Sequence, residues 1–275
     1  MIHLFRLARH LIKRSEAPPN ARHAFIRGDI AASRAAHIDG HVESQSGGAR
    51  YLSDIVLGGI DGIITTFAVI SSVEGAKLSP GVILVLGFAN LFADAISMAV
   101  GNYLGAKSER EYQHSERERE AWEIENLPEL ETQEVRDIYA AKGFEGDLLE
   151  AIVQHITDDK ELWLDTMMRE ELDIVEDQQD PRMVGLATFV AFVGFGFIPL
   201  CAYLSTFVAG WQLSPRELFS VCVLCTAVAL FAVGALRAKF TLESKAKSGL
   251  EIMLMGGIAG SVAYTVGVAL RGLVS

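Results

Sequence analysis

The sequence has few cysteines, and its basic residues are outnumbered by its acidic ones. It contains three Cys, at positions 201, 222 and 225, and the Cys222/Cys225 spacing has no second pair elsewhere. A zinc site of two Cys pairs is therefore excluded, and we interpret these residues as small apolar packing residues. With 24 Lys and Arg against 35 Asp and Glu, the chain has a net charge of -11. We expect no nucleic-acid partner.

Charged residues are also rare in five long apolar runs. The run 183–209 has none, and the run 216–236 has only Arg216 and Glu217 at its start. Each run has about the 20 residues that cross the hydrocarbon core of a bilayer. Buried helices of a soluble protein would not account for the last three runs. The sequence therefore predicts an all-α integral membrane protein with five transmembrane helices, over residues 54–75, 81–106, 183–209, 216–236 and 250–270.

The distribution of Lys and Arg predicts the orientation. Basic residues are concentrated in the N-terminal tail and in the connection after the fourth span, whereas the connections 76–80 and 210–215 hold only Lys77. Basic flanks stay on the cytoplasmic side, so the N-terminus is expected inside and the C-terminus outside. A bacterial inner membrane fits this pattern, with a vacuolar membrane as the alternative. Because the number of spans is odd and no internal duplication is evident, we expect a homodimer.

Residues 1–49 form neither a cleaved signal nor a domain by their pattern. No apolar segment follows the basic residues, so a cleaved secretory signal is not expected. A short amphipathic helix over 2–13 is predicted to lie on the anionic membrane surface. The tail also holds five of the seven His, irregularly spaced, at positions 3, 10, 23, 37 and 41. Their spacing favours a disordered, solvated tail over a metal site.

The segment 107–182 changes composition abruptly between the membrane spans 50–106 and 183–275. It contains 24 Asp and Glu against nine Lys and Arg, more than the whole net charge of the chain. Its helical periodicity predicts a three-helix acidic cytosolic insert. The first helix continues the second span, the second covers about 131–141, and the third runs without interruption from Gly146 to Ile174. Pro128 separates the first two, and Asp180-Pro181 precedes the return to the membrane.

Spacing within the insert places carboxylates on one helical face. Glu116, Glu120 and Glu123 recur at i, i+4 and i+7, and Met167, Met168 and Glu171 fall within one turn. Stacked like charges cost stability unless a cation neutralises them. Carboxylates with thioethers would suit iron, cobalt or zinc. A solvated acidic face, with the Met pair packed in the core, remains the alternative on spacing alone.

A second polar pattern lies at membrane depth. Asn90, Asp94, Met98 and Asn102 repeat every four residues along the second span, and Asp61 lies in the middle of the first. Carboxylates in lipid are costly and usually mark an ion path. Two such stripes facing one another across a dimer axis would offer oxygen and sulfur ligands to a cation. In the alternative reading, Met98 fills the core and only Asp61 and Asp94 need partners.

Three strings resemble the vacuolar iron transporter family: DIVLGGIDGIITTFAVISS, NLFADAISMAVGNYLGAKSE and the acidic segment ending in MMREE. The resemblance covers residues 50–272. It implies a five-span homodimer, not an enzyme, with a pathway at the subunit interface. Fe²⁺ and Mn²⁺, with Co²⁺ and Zn²⁺ as further candidate substrates, would leave the cytosol in exchange for protons, and no cofactor would be permanently bound.

The resemblance also implies site residues. The pathway Asp and Met of the family fall on Asp61 and Met98, and its insert ligands fall on Glu120, Glu123, Glu131, Glu134, Met167, Met168 and Glu171. Plant-type members have Glu where this chain has Asn90, whereas Asp94 stands one helical turn along. That change would shift the carboxylate by about 6 Å along the helix.

Two alternative functions do not involve transport. A di-iron oxidase of ferritin type needs two Glu-x-x-His pairs. The insert supplies one, Glu111 with His114. A membrane-anchored metal sensor would use the acidic insert but would leave Asp61 and Asp94 without a reason to lie in lipid.

Overall fold

The computed structural model describes residues 28–31, 34, 51–175, 179–208, 213–241 and 243–273. The helix predicted over 2–13 and the five histidines of the tail lie outside these residues. The described chain is helical throughout, without strands. Its α-helices are α1 Leu52–Gly75, α2 Pro80–Asn126, α3 Pro128–Ala141, α4 Gly146–Thr157, α5 Lys160–Glu170, α6 Pro181–Gly196, α7 Cys201–Val208, α8 Pro215–Thr241 and α9 Lys245–Leu270.

Five helices in the described part of the chain are long and apolar enough to cross a membrane, which confirms the five predicted spans. They cover Leu52–Gly75, Pro80–Asn126, Pro181–Thr206, Pro215–Ala238 and Lys245–Leu273. The third span is not one regular helix, because a 3-10 turn over Ile198–Leu200 separates α6 from α7. Pro199 lies in this turn and cannot donate a backbone hydrogen bond, which explains the interruption.

The first span is the centre of the membrane bundle, and glycines let its neighbours approach. A Cβ on Gly62 would lie 2.4 Å from the carbonyl oxygen of Phe192 in α6, and one on Gly58 would lie 2.9 Å from that of Thr188. Toward the C-terminal end of the first span, a Cβ on Gly267 of α9 would lie 1.9 Å from the carbonyl oxygen of Ser72. Close backbone approach of this kind is how transmembrane helices pack without a hydrophobic driving force.

The second span lies at the edge of the protomer. Its outward side chains include Val85, Phe92, Ile96 and Val100, all exposed in the isolated chain. The helix does not end at the membrane surface but runs for 47 residues, so α2 is about 70 Å long. One continuous helix therefore carries the polar stripe at membrane depth and the first carboxylates of the insert.

The insert packs α3, α4 and α5 against the end of α2 around a small apolar core. Ile124, Val135, Val153 and Trp163 belong to this core. The prediction of one helix over 146–174 is wrong, because α4 ends at Thr157 and α5 begins at Lys160. Asp159 has extended backbone angles, and its carboxylate accepts hydrogen bonds from the backbone N–H groups of Glu161 and Leu162. This N-cap starts a new helix.

Candidate functional site: two carboxylate centres joined by one helix

Three glutamates from three parts of the insert meet at one point. Oxygen atoms of Glu120, Glu131 and Glu171 all lie within 4.8 Å of one another. Glu120 is 1% exposed and Glu131 is 4% exposed, whereas Glu171 reaches the cluster from the surface. Isolated carboxylates are almost never buried to this extent. The three residues are called the acidic cluster below.

The turn between α2 and α3 brings the first two carboxylates together. Leu127 leaves the helical conformation and Pro128 occupies the first position of α3, which sends the chain back along α2. Glu120 on α2 then lies opposite Glu131 on α3. Glu171 follows the last residue of α5, and its backbone N–H donates to the carbonyl of Met167. The apolar core beneath these elements fixes their relative positions.

The carboxylates of the acidic cluster carry like charges that repel one another. Burial, a hydrogen bond with Glu131 and the charge of Glu171 raise the pKa of Glu120 to about 8. Burial also raises the pKa of Glu131, with the charges of Glu134 and Glu123 adding to the rise. The pKa of Glu171 is raised by desolvation and by Glu134 and Glu131. With a pKa of about 8, Glu120 is mostly protonated at neutral pH when no cation is bound.

Glu123 and Glu134 flank the cluster, and one arginine compensates part of its charge. The Arg119 guanidinium donates to Glu123 at 3.0 Å and to Glu116 at 2.9 Å, and it lies 4.0 Å from Glu120. The residues of the predicted Glu116/Glu120/Glu123 face are thus divided. Glu116 and Glu123 share Arg119, while Glu120 turns inward.

The two methionines lie in the core of the insert. Met167 is 0% exposed and Met168 is 2% exposed, and both pack within the same apolar cluster as Ile124 and Val135. This is the packing role that the sequence left open as an alternative. Their role as metal ligands stays a prediction.

The acidic cluster has free coordinating capacity. One buried oxygen of Glu120, Oε1, and one of Glu131, Oε2, have no hydrogen-bond partner. Unpaired buried polar atoms are costly, so such oxygens are typical of a site completed by another group. Several carboxylate oxygens converging on one point suit a divalent cation, which would replace the protons. By contrast, His114 of the single Glu-x-x-His motif is exposed and pairs with Glu118 at 3.3 Å.

A second carboxylate centre lies at membrane depth between α1 and α2. The side-chain amide of Asn90 donates to Asp94 Oδ2 at 2.6 Å. Asp94 is also close enough to Asp61 for the two charges to interact. All three residues are partly buried. Two carboxylates at this depth without a basic partner in the described contacts mark a candidate cation site.

The other two residues of the predicted stripe have different surroundings. Met98 is partly buried and packs against the apolar core shared by α1, α2 and α6. The amide of Asn102 donates to Thr188 Oγ1 of α6 at 2.9 Å, which fixes its orientation toward the third span. The stripe is thus continuous in sequence, but its members contact different neighbours. The place of both residues in an ion path stays a prediction.

Sequence reasoning missed one carboxylate in the membrane. Glu74 lies in the last turn of α1, partly buried, and it is close enough to Tyr203 and Cys222 for its charge to act on both. The sequence does contain an indication of this residue, since Glu74 is an acidic residue at the end of an apolar run. An anion at a helix C-terminus is also unfavourable for the helix dipole, which marks the position as unusual.

Comparison with known proteins identifies the family to which the chain belongs. The model of the VIT family matches residues 52–268. A vacuolar iron transporter of Plasmodium falciparum is 35% identical over 264 residues, covering 93% of this chain and 97% of that protein. One from Toxoplasma gondii is 36% identical over 265 residues, covering 91% and 87%. Vacuolar iron transporter 1 of Arabidopsis thaliana is 34% identical over 232 residues, covering 82% and 89%.

Proposed function

The chain belongs to the VIT family, and from this membership we propose that it carries Fe²⁺ and Mn²⁺ across a membrane, out of the cytosol. It is an integral membrane transporter and not an enzyme. The single observation that best supports the choice of cargo is the acidic cluster, with its two buried, unpartnered carboxylate oxygens. The cargo is the transported substrate, and no permanently bound cofactor is proposed.

The proposed transport has two stages. The acidic insert lies on the cytosolic side, attracts hydrated divalent ions and raises their concentration near the membrane. The ion then enters the membrane centre, where Asp94, Asp61 and Met98 replace its water, with Asn90 and Asn102 lining the same stripe. Carboxylate, amide and thioether donors together suit transition-metal ions better than Mg²⁺ or Ca²⁺. These donors do not by themselves select Fe²⁺ and Mn²⁺ over Co²⁺ and Zn²⁺, and iron is chosen from the names of the relatives.

A second copy of the chain would complete the path. Gly101 follows Asp94 by seven residues and Gly105 follows Met98 by seven, so both glycines share a helical face with the stripe, and a Cβ on either would meet nothing within 4 Å. Small residues on an unpacked transmembrane face favour helix association. A homodimer formed through α2 would place two Asp94/Met98 stripes opposite one another. This arrangement supports a pathway at the subunit interface.

Proton exchange follows from the chemistry of the ligands. A carboxylate cannot hold a proton and a metal ion on the same oxygen, so metal loading and protonation compete. Protons entering from the far side would displace the cargo from Asp61 and Asp94 and return through the same site. The proposed location is a bacterial inner membrane, with the insert in the cytosol. The names of the relatives, from parasites and plants, favour the vacuolar membrane as the second candidate.

The test is metal uptake into proteoliposomes by the Asp61→Asn variant. The change keeps the shape of the side chain but removes the charge that offsets desolvation of the cation, so flux of Fe²⁺ and Mn²⁺ should be lost. Glu251→Gln in α9 is the control, because this carboxylate lies at 3.8 Å from Arg237 and outside the two centres. The control should transport at the wild-type rate.

The outcomes separate the candidate functions. If Asp61→Asn transports as well as Glu251→Gln, the path does not pass through Asp61. If the wild-type protein binds metal in calorimetry but none of the three proteins moves it, the membrane-anchored sensor is the better reading. The dimer fraction and the thermal stability of each variant are measured as well, and neither should differ from the wild type.

A further inference from the structure

A cavity of about 970 Å³ lies where α2 leaves the membrane and α6 enters it. One wall is formed by a face of α2 that begins at Tyr103 and includes Lys107, Arg110 and Arg117. The other wall is the segment from Asp180 to Arg182, at the first turn of α6. The apolar part of the second span ends at Ala106, so the cavity is at the level of the lipid headgroups.

The cationic side chains of this cavity differ in whether they already pair with an acidic residue. Lys107 lies 3.5 Å from Glu111, and Arg117 is held by Asp165 at 2.7 Å and by Glu161 at 3.1 Å. Arg110 and Arg182 make no side-chain hydrogen bond or ion pair with any residue that the structure describes, and both are exposed. The cavity therefore presents two available guanidinium groups, one from each wall.

The charge of the cavity is opposite to that of its surroundings. Four basic residues line it against two acidic ones, Glu111 and Asp180, within a segment that is strongly acidic as a whole. Basic side chains would repel the metal cargo, so this surface has no part in collecting it. Guanidinium groups bind phosphate through paired N–H donors.

We propose that Arg110 and Arg182 bind a phosphate group in this cavity. At headgroup level the expected source is an anionic phospholipid such as phosphatidylglycerol, and a soluble phosphate is the other source of the same chemistry. A phosphate held from both walls would connect α2 to the start of α6. It would thereby fix the position at which the insert joins the membrane bundle, a role separate from metal transport.

The test uses the full-length protein in nanodiscs of phosphatidylcholine, with and without phosphatidylglycerol. Retained lipid is counted by native mass spectrometry, and its affinity is obtained from a phosphatidylglycerol titration. The double variant Arg110→Gln/Arg182→Gln is compared with the wild type and with Lys245→Gln/Lys247→Gln. The control removes the same charge from exposed residues next to the fifth span, on the same side of the membrane and outside the cavity.

Each substitution removes the charge-assisted hydrogen bonds of one guanidinium group to the phosphate, so binding should weaken by at least about tenfold each, or about 100-fold together. The wild type and the lysine control should retain phosphatidylglycerol with equal affinity, and the arginine variant should lose it. Equal affinity in all three proteins would rule out phosphatidylglycerol as the ligand. Equal losses in both double variants would overturn the proposal, because a general charge effect would then explain the binding.

A third condition distinguishes the two sources of phosphate. Inorganic phosphate is added to wild-type protein in phosphatidylcholine alone, and thermal unfolding is followed. If phosphate raises the melting temperature of the wild type but not that of the arginine variant, while phosphatidylglycerol has no effect, the ligand is soluble. If neither form of phosphate has an arginine-dependent effect, no phosphate site exists here. Unchanged far-UV circular dichroism of the arginine variant verifies that it folds.

Discussion

Metal binding by the acidic cluster should depend steeply on pH, because the cation must displace a proton from a buried carboxylate. Burial and its acidic neighbours raise the pKa of Glu120 to about 8 from 4.5. Below that pKa the carboxyl is mostly protonated and binds metal only after losing the proton. Affinity should therefore rise with pH until Glu120 is ionised and should level off above that point.

The size of the effect follows from the fraction of ionised carboxyl. With a pKa of about 8, roughly 1% of Glu120 is ionised at pH 6 and about half at pH 8, so the apparent affinity should rise about 50-fold between them. The free energy of unfolding of the metal-free protein should instead decrease as the pH rises. A carboxyl whose pKa is raised by folding binds its proton more tightly in the folded state, so stability falls as the pH rises from 4.5 toward about 8.

The assay is isothermal titration of Mn²⁺ or Co²⁺ into the purified protein at several pH values, in buffers of different ionisation enthalpy. The buffer dependence counts the protons released, and at least one is expected near pH 7. Glu120→Gln should bind metal more weakly and with a flatter pH profile. Glu118→Gln is the matched control, two positions away on α2 but 72% exposed. A wild-type affinity that does not change from pH 6 to 8 would refute the reasoning.

Three further changes test other parts of the molecule. Asp94→Gly should abolish metal flux in proteoliposomes. Adding Asn90→Glu should restore part of the flux, since the side chains of residues 90 and 94 are in contact at 2.6 Å in the wild type. Full activity of the Asp94→Gly single variant would make Asp94 a packing residue. Asp159→Ala removes the N-cap of α5 and should cost about 1 kcal/mol in a denaturant titration. Gly62→Ala should lower the melting temperature, because its Cβ would meet a carbonyl oxygen at 2.4 Å, whereas Gly194→Ala, with open space around it, should not.

The membrane architecture could be read from the sequence because bilayer thickness imposes both length and composition on each span. All five predicted runs fall on apolar helical spans of the structure, although a 3-10 turn interrupts the third and the helix of the second continues to Asn126. Helix breaks were predictable only where proline or glycine causes them, as at Pro128. The break at Asp159 was missed because Asp also occurs inside solvated helices. Its capping role depends on a backbone conformation that the sequence pattern does not specify.

The candidate site was predictable as a set of residue types but not as a geometry. Spacing on one helix grouped Glu116 with Glu120 and Glu123, whereas the structure separates them, because Arg119 holds the outer two and Glu120 turns inward. Glu131 entered through the family resemblance alone, and spacing grouped Glu171 only with Met167 and Met168. Their convergence with Glu120 depends on the turn at Leu127 and on core packing, both long-range features. Periodicity along one helix contains no information of that kind.

The distance between the two carboxylate centres determines what the acidic cluster can contribute to transport. Asp94 and Glu120 are 26 residues apart on one unbroken helix, or about 39 Å along its axis. No side chain spans that gap, so an ion cannot pass directly from one centre to the other within a protomer and must return to water between them. In the proposed transport, the cluster would then contribute by raising the local concentration of cations. Glu120→Gln should accordingly slow uptake at limiting metal and leave the rate at saturating metal near that of the wild type. Loss of the saturated rate would instead place the cluster in the path itself.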